Sequence, residues 1–171
     1  MVADDILSTI VEFSVAVAGF SGIVAALAPS RPSQWPFVSQ ALFTALLFST
    51  AISASVSLLA MVLLASPVSP ATAWATSSAV HGVILVGVVA FRMRQSRRAD
   101  VGITPRVVVF VMMLAIASAQ LANASRFQLG WVCVGCLSLY AAMGFAYFVL
   151  LVTSIWKISP AAQQADEADV E

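Results

Sequence analysis

The 171-residue chain is 61% hydrophobic and only 9% charged, with a mean hydropathy of +0.98. A soluble domain carries about a quarter charged residues, so this chain has too few to cover a water-facing surface, and its class is integral membrane protein. The formal net charge is zero; the placement of the charges along the chain is what informs.

The apolar runs are long and lack period-two alternation, so helices are expected over barrel strands. Five spans follow, at about 6–28, 37–65, 71–91, 105–124 and 130–156, each near or above the roughly 20 residues a bilayer core requires. The fold expected is an all-α bundle of five transmembrane helices. A membrane domain covers 1–158, and an acidic cytoplasmic tail at 159–171 is expected to be disordered.

The first span opens after Asp4 and Asp5 rather than after a basic segment, and its apolar run exceeds the core of a signal peptide. It is read as a retained span. Glu12 lies within it, about 12 Å from Asp4 along the helix axis. An ionised acid in hydrocarbon costs about 2.5–3.5 kcal/mol at the bilayer centre on insertion scales. Glu12 is therefore expected to face protein or water. Ser8, Ala16, Gly19 and Ile23 share its stripe, while Ala18, Gly22 and Ala26 form another at spacing four. Small residues let helices approach closely, so Gly19 and Gly22 are expected at helix contacts. The functional reading of Glu12 is an ion or proton site; the structural one is a protonated acid tying two helices together.

"PSRPSQWP" separates the first two spans. The second carries Ala41, Ala45, Ser49, Ser53 and Ser57 at steps of four. That pattern is a small-residue packing stripe. Its hydroxyls would line a pore only if several chains surrounded an axis.

"SPVSP" leads into the third span, which holds His81, the only histidine. His81 fits either an interhelical hydrogen bond or a proton relay with Glu12. The following loop carries Arg92, Arg94, Arg97 and Arg98, a cluster suited to anionic lipid headgroups and equally to orienting the protein.

The fourth span ends with Gln120 and Asn123. These are either interfacial amides or partners of Glu12 in a polar pocket. The fifth opens on "CVGC" and continues along one face with Tyr140, Gly144 and Tyr147. Cys133 and Cys136 resemble the Cys-x-x-Cys motif of quinone-linked disulfide-forming membrane enzymes, where it sits at the outer end of a helix in a four-helix bundle. The resemblance implies thiol–disulfide chemistry, but those enzymes need a second cysteine pair and this chain has no other cysteine. Ordinary packed cysteine is the simpler alternative.

Charge sets the expected orientation. Five spans put Arg31, Arg92, Arg94, Arg97, Arg98, Arg106 and Lys157 on one side and Arg126 on the other. Cytoplasmic loops collect Lys and Arg, so the N-terminus is expected outside and the C-terminus inside. Trp35, Trp74, Trp131 and Trp156 fall at span ends, where amphipathic rings anchor.

The stretch "GFSGIVAAL" and the short basic, Trp-containing loop after it resemble small bacterial membrane proteins. That resemblance implies a bacterial inner membrane and no activity. No phosphate loop, hydrolytic triad, metal-ligand spacing or nucleic-acid motif appears, so neither cofactor nor metal is expected. The features converge on a small homo-oligomeric ion channel or transporter for a cation or proton. Glu12, His81, Ser49, Ser53, Ser57, Gln120 and Asn123 are the candidate path. A membrane thiol–disulfide oxidoreductase and a non-transporting assembly, sensor or scaffold subunit are the alternatives.

Overall fold

The computed structural model describes residues 2–28, 35–96 and 103–168. Five helices run in order: α1 (Val2–Leu27), α2 (Phe37–Ala65), α3 (Pro70–Ser96), α4 (Ile103–Ala122) and α5 (Gly130–Ala168). A π-helical turn, Asn123–Phe127, extends α4. All five are long and apolar enough to cross a membrane, and no strand occurs among the described residues. Arg31, Arg97 and Arg98 lie outside the described residues.

The helix ends follow local chemistry. Pro36 precedes α2 in an extended conformation (φ −53°, ψ 147°), and its carbonyl accepts the Gln40 N–H at 3.1 Å. Ser66 ends α2 in the extended region (φ −86°, ψ 167°), because the Pro67 ring bars it from helical backbone. Its N–H and hydroxyl both donate to the Leu63 carbonyl, at 3.2 and 2.6 Å. Ser69 then caps α3, its Oγ accepting the Thr72 N–H at 3.2 Å. Pro70 takes the first helical position, where a missing N–H costs nothing.

Helices α2 and α5 form the central pair. α1 packs on both from one side, while α3 and α4 pack together against α5, with α3 also on α2. The central pair crosses closely at Gly144, where an added Cβ would lie 2.6 Å from Ser49 Oγ. Ser39 and Ser154 exchange a hydroxyl hydrogen bond of 3.1 Å further along the same seam. Gly82 brings α3 onto α4, and Gly130 makes room for the Trp74 ring, since a Cβ there would lie 2.7 Å from Trp74 Cε2.

The apolar core divides into clusters joined by these crossings. One gathers Leu7, Ile10, Val56, Ala60, Trp74, Cys133, Leu137 and Ala141. A second gathers Leu85, Val89, Met113, Ile116, Tyr140 and Met143. Trp35, Leu151 and Ile155 close the opposite end. The outward faces carry Phe13, Phe20, Phe48, Val62, Val83 and Val111. Such faces suit lipid, the only solvent in which this much exposed apolar surface is unremarked.

Several expectations are corrected. The inward face of α1 is Leu7, Ile10, Ser14, Val17 and Ser21, at alternating steps of three and four. The stripe of Glu12, Ala16, Gly19 and Ile23 is exposed, and so are Gly22 and Ala26. A Cβ added at Gly19 or Gly22 would meet nothing within 4 Å, so neither glycine serves packing inside the chain. The reason is geometric: an α1 seam of Leu, Ile and Val with two serines already fills the groove on α2 and α5, and one face of a helix cannot do the same on the other side. Trp35 and Trp74 are not interfacial anchors but buried core residues, whereas Trp131 is 74% exposed. Helix α5 continues to Ala168, into the tail expected to be disordered. Ala161, Ala162, Gln163, Gln164 and Glu167 are strong helix formers that extend it.

Candidate functional site: a buried polar layer

Helices α2, α3, α4 and α5 enclose polar side chains that have no contact with the outside. His81, Gln120, Asn123, Ser53, Ser57, Ser77 and Ser78 are all at 0% exposure. Counted from the α2–α3 turn, Ser57 lies about 12 Å and His81 about 16 Å along their helices, at 1.5 Å per residue. Ser57 and His81 therefore lie about two to three turns in from that end of the bundle.

The centre is an amide–imidazole pair. Gln120 Nε2 lies 2.9 Å from His81 Nδ1 and 3.3 Å from the Cys133 carbonyl oxygen. The carbonyl accepts only, so the nitrogen must be the atom facing it; a flipped amide would set two oxygens against each other. Both amide hydrogens are then used, one on each partner. His81 Nδ1 is the acceptor, which puts the ring proton on Nε2. The Tyr140 ring stands edge-on to His81, with centroids 5.5 Å apart.

Asn123 does different work. Its Nδ2 donates to Ser78 Oγ at 2.8 Å and to the Leu129 carbonyl at 3.1 Å, and its Oδ1 accepts the Leu129 N–H at 2.9 Å. The Gln128 N–H closes the π turn on the Asn123 carbonyl at 2.7 Å, with Gln128 in left-handed backbone (φ 53°). Asn123 thus fastens the α4–α5 connection to α3, and its amide is fully engaged.

Other polar atoms of the layer are unengaged. His81 Nε2, Gln120 Oε1 and the hydroxyls of Ser53, Ser57 and Ser77 are buried without a hydrogen-bond partner, as is that of Ser14 on α1. Each such group costs about 1–3 kcal/mol relative to a satisfied one. Ser49 and Thr50 differ: their hydroxyls donate back to the Leu46 carbonyl at 2.9 and 3.0 Å, the inexpensive arrangement for a membrane helix.

Of the residues singled out from the sequence, the structure brings His81 and Gln120 into direct contact and sets Asn123 beside them through Ser78. Ser53 and Ser57 face the interior of this one chain, so they do not line a passage between chains. Glu12 stands apart on the exposed face of α1, accepting a 3.2 Å bond from Ser8 Oγ one turn earlier; the Glu12–His81 relay is not formed. Ala45 and Gly144 are buried at helix contacts and Ala41 is half-buried. Cys133 and Cys136 are free thiols on the first turns of α5, the first buried and the second half-buried. Arg92 is half-buried and Arg94 exposed. Ser77 and Ser78 were missed in the sequence. Their signal was the i, i+3 and i, i+4 spacing to His81, which places them on its face of α3.

Among the described residues, no group of three or more His, Cys, Asp or Glu side chains is placed to hold a metal ion. Compared with protein-family models, curated proteins and solved structures, the chain matches none.

Proposed function

We propose that this chain is a small membrane transport protein, a channel or transporter for a cation or proton that works as a homo-oligomer, and that its path passes through the buried layer around His81 and Gln120. One observation carries the reading: His81 Nε2, Gln120 Oε1 and three serine hydroxyls are unpaired inside an apolar bundle. Apolar residues of similar size would fill the same space at lower cost. Polar groups held at that cost in a membrane mark a pathway or site.

The path is expected to open toward the α2–α3 turn and the π turn, the side nearer the layer. The basic residues cluster on the opposite side, and by the positive-inside rule that side is cytoplasmic, with the N-terminus outside in a bacterial inner membrane. Arg92 and Arg94 then serve orientation and headgroup contact. Glu12 belongs to the surface through which protomers meet rather than to the path.

The test is flux in proteoliposomes of purified protein, with a pH-sensitive dye inside and with labelled sodium and potassium outside. His81→Phe and Gln120→Leu are expected to lower flux at least tenfold, and Glu12→Gln to leave the flux per assembled oligomer unchanged. Wild-type vesicles that leak no faster than empty ones end the transport reading. Thiol–disulfide exchange gains less support, since attack requires access to sulfur and Cys133 is fully enclosed.

A further inference from the structure

We infer that the buried, unpaired His81 Nε2, Gln120 Oε1 and hydroxyls of Ser77, Ser57 and Ser53 take water as their partner, and that this donor set refuses metal cations. The inference rests on the transport reading for its place in function, but on the unpaired atoms alone for its chemistry. It narrows the transported species to water or a proton carried on it.

The unpaired groups are complementary in kind. With Nδ1 occupied by the Gln120 amide, His81 offers an N–H at Nε2. Gln120, with both amide hydrogens spent on His81 and the Cys133 carbonyl, offers a bare carbonyl oxygen. The serine hydroxyls donate and accept. A guest that satisfies this set must itself both donate and accept and be small enough for a packed bundle. Buried waters make two to four hydrogen bonds to such groups. A metal cation fails on three counts. The Nε2–H points a positive dipole at it. The acids whose side chains the structure describes, Asp4, Asp5 and Glu12, are all exposed and away from the layer. Hard cations need several oxygen ligands with negative charge among them, and the unpaired oxygens of the layer are one neutral amide oxygen and three neutral hydroxyls.

The chain supplies its own probe, because His81 is its only histidine. Protein labelled with ¹⁵N-histidine and held in lipid bilayers gives ring signals from one residue. Solid-state NMR then reads the tautomer from the two nitrogen shifts and the proximity of water from magnetisation transferred out of the water line. The expected result is a proton on Nε2, a bare Nδ1 and clear build-up of the ring signal from the water line. Sodium, potassium and zinc ions at millimolar concentration are expected to leave both shifts in place. Gln120→Leu is expected to free Nδ1 and mix the tautomers. A proton fixed on Nδ1, no transfer from water, or a ring shift on adding any of the three metals would overturn the inference in wild-type protein, whether or not the variant folds. Vesicles without flux, combined with a water-coupled ring, end the transport reading and leave the site standing. Flux with a dry ring ends the site.

Discussion

Gln120 on α4 ties His81 on α3 to the backbone of α5: one amide nitrogen lies 2.9 Å from His81 Nδ1 and 3.3 Å from the Cys133 carbonyl. Three helices therefore share one side chain. The bond fixes the imidazole tautomer and leaves one buried donor and one buried acceptor without a partner. The polar layer is thus specified by pairing rather than by loose packing.

Breaking that pair from one side is expected to cost more than removing it. Gln120→Leu strands His81 Nδ1 in an apolar interior, at about 1–3 kcal/mol, while the Cys133 carbonyl loses only its second bond and keeps its partner within α5. His81→Phe likewise strands one amide hydrogen of Gln120. The double variant removes both polar partners and replaces them with apolar bulk, so its loss should fall well short of the sum of the singles, with a coupling of about 1–2 kcal/mol. Thermal unfolding of the four proteins in one detergent measures it. Additive losses would show that the pair does not act as a unit.

Asn123 should be the more sensitive position for folding. Asn123→Ala deletes bonds to Ser78 Oγ, the Leu129 carbonyl and the Leu129 N–H, and loosens the turn that carries Gln128 in left-handed backbone. At about 0.5–1.5 kcal/mol net per bond, the loss is expected to reach about 2–4 kcal/mol. Asn123→Asp retains the acceptor for the Leu129 N–H but loses both donations, and should do no better in an apolar site. Limited proteolysis at the 123–130 connection should rise in step with the drop in melting temperature.

The helical frame was legible in the sequence because lipid removes the alternatives: an apolar run of sufficient length has to be a helix, and Ser66-Pro67 and Ser69-Pro70 mark their boundaries by local sterics. Which face of α1 turns inward was not legible. The outward stripe of Glu12, Ala16 and Gly19 has the polarity and small size expected of a contact, while the inward seam of Leu7, Ile10 and Val17 has the composition of a lipid face. In water, hydrophobicity separates the two; in a bilayer, lipid and protein interior are equally apolar, and the signal vanishes. His81 and Gln120 were legible as candidates from their cost in hydrocarbon. Their pairing depended on α3 crossing α4 at Gly82, a tertiary fact with no mark in the spacing of the two residues. Trp35 misled for a related reason: a tryptophan at a span end also lies where helix ends converge, and here the ring turns inward against Phe43, 5.6 Å away between centroids.

The α2–α5 crossing yields a prediction with its own rescue. A Cβ at position 144 would stand 2.6 Å from Ser49 Oγ and 3.4 Å from Thr50 Cγ2. Both are short side chains anchored on the facing helix, so the strain passes to the helix axes. Gly144→Ala is expected to destabilise by about 1–3 kcal/mol, the usual range for overpacking. Ser49→Ala removes the offending oxygen, whose bond runs only to its own helix at Leu46, and should recover most of that loss when combined with Gly144→Ala. Melting temperatures of the two singles and the double decide the matter; a double no more stable than Gly144→Ala alone would place the strain elsewhere.

Glu12 should separate folding from assembly. Its side chain is exposed and bonded to Ser8 within the same helix, so Glu12→Gln and Glu12→Ala are expected to move the melting temperature of the isolated chain by less than the equivalent of about 0.5 kcal/mol. Gly19→Ala should be neutral or slightly stabilising, since its Cβ meets open space and glycine costs about 0.5–1 kcal/mol more than alanine within a helix. Lipid makes a poor neighbour for a carboxyl group, whereas a second protomer offers Ser8 and Glu12 of its own α1 as partners. Under the homo-oligomer proposal, Glu12→Ala and the bulkier Gly19→Leu should therefore shift the protein toward monomer by tenfold or more in dissociation constant, with the fold intact. Native mass spectrometry after mild extraction reads the species directly. An unchanged oligomer in both variants would move the protomer contact off the α1 face, and a monomeric wild type would remove it altogether.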